Sequence, residues 1–197
     1  MHLEEMDSID IEDLISICNE YEINYLAPSY LVESLRPEFI RVDEFSLMRP
    51  ESLGVTDEII SAVCSEVKSA IRRGGGWQTA KTFSDFEWLP QLEISWNSFL
   101  LESIVSLSEE KIFVIKNYWI ETNLSSAVFV SDDFAEDNFN SFLLKILIAE
   151  QEKQPFQDRK ELLTWLQSQG LCAKKFPKFL EAEGHRTLDA YGRIFLQ

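Results

Sequence analysis

Few side chains in this sequence have both the type and the company that chemistry needs. It holds two histidines, His2 and His185, and three cysteines, Cys18, Cys64 and Cys172. A nucleophile–base pair would have to use His185, because His2 reads as part of a disordered terminus. Cys172 lies 13 positions before His185 and beside Lys174 and Lys175, whose charge would lower a thiol pKa. Nothing marks a third catalytic member or an oxyanion hole. No paired Cys or His spacing suits zinc. Asp132, Asp133, Glu136 and Asp137 follow an apolar run and could gather Mg²⁺ at a strand end. Asp133 and Glu136, however, have the spacing of a helix capping box, which accounts for every acid there. Gly74-Gly75-Gly76 ends a helical pattern and has no Gly-Lys-Ser/Thr after it, so it reads as a helix stop and linker, not a phosphate loop. The sequence thus calls for no catalytic residue, metal or cofactor.

Two sets of residues are better suited to binding. The first is aromatic. Trp77, Phe83, Phe86 and Trp88 crowd one connection, just before Trp96. Aromatics placed there either fill the core and pin the loop or anchor a partner. The second set is basic: Lys174, Lys175 and Lys178, with Arg186 and Arg193 further on.

Charge bears on which partners suit these sets. The chain has 197 residues, with 34 acids against 18 bases and a formal charge of −16. Residues 1–157 hold 29 of those acids and 11 of the bases, a net of −18. Residues 158–197 hold the other 5 and 7, a net of +2. The acidic part repels phosphate backbones and attracts basic protein surfaces, whereas the end piece is locally free of that objection. Hydrophobic residues make up 45% of the chain, with 14 Phe and 5 Trp, enough to build a core without metal or disulfide staples. Three scattered cysteines read as reduced thiols, and Cys18 and Cys64 fall on apolar helical faces. The acidic start Met-His-Leu-Glu-Glu is unlike a secretory or mitochondrial leader. The strongest apolar stretch, 142–149, is far short of a membrane span. Together these predict a soluble, cytoplasmic chain.

The elements that must position these residues are mainly helical by pattern. Helices are expected over 9–22, capped by Asp7 or Ser8, and from Pro28 to about Leu35. The clearest helix is 57–73, with Thr56 as N-cap, apolar residues at the 3.6 period and Gly74 as the stop. Residues 37–55 read as irregular, and 74–94 as one long connection. Ser95 would cap a helix carrying Trp96 to Leu107. Lys111–Ile115 and Ala127–Val130 read as a pair of short strands. A helix over about 135–152, apolar over a wide arc, is expected to be central. Similar hexapeptides beginning at Ser29, Ser98 and Ser141 share no fixed period, so no repeat is assigned.

After Pro155 the pattern becomes helix (158–168), turn at Gly170, helix (173–183), then strands 186–188 and 193–196 around Asp189-Ala190-Tyr191-Gly192. This stretch of about 40 residues resembles a winged helix-turn-helix. The resemblance implies that the second helix and wing touch nucleic acid, through Lys174, Lys175, Lys178, Arg186 and Arg193. Pro177 departs from the pattern, since it must open a shorter helix or kink this one. The same unit in other settings packs or docks on proteins.

The expected fold is α+β but mostly α: a helical body of residues 1–157 with a small strand pair, and a winged-helix-like unit of 158–197, which need not be independent and could pack with the body as one domain. The expected role is non-catalytic. An acidic interaction or regulatory protein would bind a protein with a basic surface, in an inhibitor, immunity-like or nucleic-acid-mimic role, with Trp77, Phe83, Phe86 and Trp88 as anchors. The alternative is a nucleic-acid-binding subunit acting through the C-terminal unit. No membrane partner is expected.

Overall fold

The structure is a computed structural model, and it describes residues 6–23, 28–81, 86–109, 112–117, 126–153, 156–173, 176–181, 187–188 and 194–195. Six α-helices lie among them, together with eight short strands. The expectation of a mostly helical body with one strand pair is overturned, because two three-stranded antiparallel sheets organise the chain.

The first sheet comes from residues expected to be irregular. Strands β1 (Ser8–Asp10), β2 (Ile40–Arg41) and β3 (Ser46–Met48) run in the order β1-β3-β2, with Ile9 opposite Leu47 and Ile40 opposite Met48. Each strand is only two or three residues long, too short to show alternation in sequence. Asp10 ends β1 and also caps α1 (Ile11–Glu20), its carboxylate accepting from the Glu12 and Asp13 amides. The cap therefore lies two or three residues later than the Asp7 or Ser8 expected. Helix α2 (Pro28–Ser34) follows. Ile9, Ile11, Leu14, Val32, Phe39 and Leu47 form the apolar cluster of this part.

The second sheet is β4 (Trp77–Thr79), β5 (Phe113–Asn117) and β6 (Ser126–Val130), ordered β4-β6-β5. The strand pair expected around 111–115 and 127–130 is β5 and β6, shifted by a residue or two. β4 is the addition. Trp77 opposes Val130, so the connection expected over 74–94 begins instead with a strand paired to residues some fifty positions away. β6 alternates cleanly. Ala127 and Phe129 join one apolar cluster with α3 (Asp57–Arg73) and α4 (Ser98–Leu107), while Val128 and Val130 join another with α5 (Phe139–Lys153) and α6 (Arg159–Ser168). Helices cover both faces, which is why β6 reads as an unbroken apolar run.

Local chemistry explains the helix limits. Thr56 caps α3 as expected, and Gly74 ends it. Asn97, not Ser95, caps α4, with Oδ1 accepting from Phe99 and Leu100. The capping box expected at Asp133 and Glu136 does not form. Asp132–Phe134 is a 3₁₀ turn, α5 starts at Phe139, and the Asn138 amide oxygen takes the Ser141 N–H. Asp158 caps α6 through the Glu161 amide.

At the C-terminal end, a 3₁₀ turn over Lys178–Glu181 stands within the helix expected at 173–183. Pro177 precedes it, and its carbonyl takes the Leu180 N–H. Strands β7 (Thr187–Leu188) and β8 (Ile194–Phe195) pair antiparallel. Lys174, Lys175, Arg186 and Arg193 lie outside the described residues, as does the turn at 189–192. Phe156, Leu162, Leu166, Leu171, Phe176 and Leu180 share one apolar cluster with α5 and the second sheet. No helix among the described residues is long and apolar enough to cross a membrane.

Candidate binding surfaces

The aromatic connection separates into parts with different roles. Trp77 is half-buried on β4, its ring meeting Phe142 edge-on at 5.8 Å. Phe86 is only 8% exposed and belongs to the α3–α4 core. Phe83 lies outside the described residues. Trp88 is 58% exposed.

The chain around Trp88 is held from both sides. The Glu87 N–H donates to Glu66 Oε1 at 2.8 Å, and Arg73 reaches the carboxylates of Glu66 and Glu87 at 2.7 and 3.6 Å. Further on, the Trp96 indole N–H donates to the Pro90 carbonyl at 2.7 Å. Leu89, Leu92 and Ile94 pack against the core. A large apolar side chain is thus presented from a fixed backbone with Glu87 next to it. Such preorganisation lowers the ordering cost of association.

A second constellation has no counterpart in the expected sites. Glu33 on α2, Arg36, Arg41 on β2, Glu102 on α4 and Lys116 on β5 meet where the first sheet joins the central core. Lys116 pairs with Glu33 at 3.1 Å and with the buried Glu102. Glu33 also pairs with Arg36 at 3.1 Å. Arg41 is 6% exposed; its backbone N–H donates to Ser103 Oγ, its Nη2 donates to the Glu44 carbonyl, and its guanidinium carbon sits 3.7 Å from the centre of the Phe99 ring. Burial pushes the Arg41 guanidinium down to about 10, against the opposing pull of Glu44 and Asp43. Burial also lowers Lys116, an effect Glu33 opposes and Arg36 and Arg41 reinforce. The Nε atoms of Arg36 and Arg41 and Oε2 of Glu102 are buried without a hydrogen-bond partner. The cluster ties α2, β2, α4 and β5 together by charge. The signal for it was a single charge inside each of three apolar runs: Phe39-Ile40-Arg41-Val42, Leu100-Leu101-Glu102 and Phe113-Val114-Ile115-Lys116.

A third feature is an open groove of about 490 Å³ beside α5 and α6, with Phe156 and Trp165 among its lining. Helix packing creates it, so no local pattern announces it.

The remaining expectations fall as follows. Lys178 is exposed at the start of its 3₁₀ turn and is the one described member of the basic set. Cys172 is buried, and desolvation pushes its thiol up to about 11, away from the thiolate that an activated nucleophile needs. Cys18 and Cys64 are buried and form no disulfide. Glu136 pairs with Lys145 at 2.9 Å. Among the described residues no group of three or more His, Cys, Asp or Glu side chains is placed to hold a metal. Comparison with protein families, curated proteins and solved structures finds no match.

Proposed function

We propose that this chain is a non-catalytic, acidic interaction protein whose partner is a protein with a basic surface, and that Trp88 is its principal anchor. The observation that carries this reading is an exposed tryptophan on a pinned backbone in a chain of net charge −16. Tryptophan is enriched among residues that dominate binding energy, and a large net charge of one sign steers an oppositely charged partner into encounter. The division of labour follows from range. Carboxylates act across the Debye length of about 8 Å and set the rate of encounter, whereas the indole acts at contact and sets the lifetime of the complex.

The test is capture from source lysate by the immobilised chain at low salt, in parallel with Trp88→Ala. Basic proteins retained by the wild type, released by salt and lost on Trp88→Ala are the expected result. Capture indifferent to both salt and Trp88, or retention of nucleic acid in place of protein, overturns the reading.

A further inference from the structure

We propose that the groove beside α5 and α6 binds an arginine side chain of that basic partner, with the guanidinium held between an aromatic wall and a carboxylate rim. The inference rests on the partner reading above and adds a second, chemically defined contact to it.

The groove is lined by Phe156 and Trp165 and by three carboxylates, Glu150, Asp158 and Glu161, against one ammonium, Lys160. The Phe156 and Trp165 rings stand 5.6 Å apart at 58°, and since Phe156 is buried, the half-buried Trp165 ring it supports is the part of the wall that a ligand can reach. Each carboxylate is already anchored. Asp158 Oδ1 accepts from the Glu161 N–H at 2.8 Å, Glu161 Oε2 accepts from the Gln157 N–H at 2.6 Å, and Glu150 Oε2 pairs with Lys153 at 3.3 Å. Among the described residues those bonds use one oxygen of each group, leaving the other for a ligand. The nearby base Arg159 is directed elsewhere, its guanidinium carbon 4.5 Å from the centre of the Phe176 ring.

Chemistry selects arginine over lysine. A planar guanidinium stacks on an indole face and forks onto carboxylate oxygens at the same time, and it sheds water more readily than an ammonium. The molecule makes the same pairing internally, at Arg41 on Phe99 and Arg49 on Phe39. In the groove, the aromatic wall and the acids stand together, and among the described residues no arginine lines them.

The experiment uses the full chain, ¹⁵N-labelled, titrated with the blocked peptide Gly-Gly-Arg-Gly-Gly and with its citrulline and lysine counterparts. The Trp165 indole signal is assigned by Trp165→Phe. The arginine peptide should give saturable shifts at the Trp165 indole and at amides of 156–168, with an affinity of order 1 mM. Citrulline, which keeps the shape and loses the charge, should give none. The double variant Glu150→Gln/Asp158→Asn keeps the α6 cap, since Asn caps as well as Asp, and should weaken the arginine peptide about fivefold. Equal binding of citrulline or of lysine, or no shift at Trp165 in an otherwise native spectrum, overturns the inference. If those peptides fail while basic proteins are still captured through Trp88, the groove alone is wrong. If the arginine peptide binds but no basic protein is captured, the partner reading alone is wrong.

Discussion

The junction at Lys116 and the groove at Trp165 are built from the same kinds of residue and use them in opposite ways. At the junction, Glu102 and Arg41 are taken out of water and pinned between elements, with Lys116 and Glu33 reaching them from the half-exposed side, and three polar atoms are left without a hydrogen-bond partner. At the groove, carboxylates stay at an open surface beside aromatic rings. A buried ion pair adds little net stability but is costly to break, because removing one partner strands the other charge. Exposed carboxylates cost little to lose, so they are available for function. What a charge does in this molecule is decided by its access to water.

The largest effect should come at the junction. Lys116→Met should cost about 3 kcal/mol of unfolding free energy, measured in urea, because Glu102 is only 4% exposed and loses its cation. Adding Glu102→Leu should recover about half of that loss. No recovery would mean that packing, not stranded charge, sets the penalty.

Just before β4, Gly76 has φ +114°, and a Cβ there would clash with the edge of the Phe134 ring. Gly76→Ala should cost about 2 kcal/mol from backbone strain and that clash, read from the same denaturation curves. A neutral result would show that this turn is looser than the junction.

A smaller, pH-dependent effect should arise at Cys172. Its folded thiol holds its proton up to about pH 11, against an ordinary value of 9.0. The folded state therefore binds more protons than the unfolded state in that window. The contribution is present below pH 9.0 and is lost as pH rises through about 11. Stability of the wild type should fall more steeply there than that of Cys172→Ala, and equal slopes would remove the shift.

The smallest effect should be at the groove rim. Glu150→Gln should change stability by less than about 0.5 kcal/mol, since its pair with Lys153 is exposed. A loss approaching that of Lys116→Met would erase the contrast between the two regions.

Much of the helical framework was legible in sequence. Thr56, the apolar period through Ile71 and Gly74 announce α3, and Cys18 and Cys64 are buried on the faces that the period assigns them. What escaped was non-local. Strands β1 to β3 have two or three residues each, and β4 is defined only by its pairing with β6, from Trp77 opposite Val130 to Thr79 opposite Val128. Asp10 and Asn97 took the caps expected of residues two or three positions earlier, because strand pairing and the turn before each helix decide which carbonyl-side residue can reach the free amides. Phe86 and Trp88 show the same limit for binding sites. Two positions apart in one loop, one fills the core and the other faces solvent, and only packing distinguishes them.

The most direct test of an acidic protein that captures a basic partner is the association rate, followed by stopped flow from about 20 to about 300 mM salt for wild type and Trp88→Ala. The account predicts that both association rates fall at least tenfold or so across that range, while Trp88→Ala chiefly speeds dissociation. An association rate indifferent to ionic strength would contradict it.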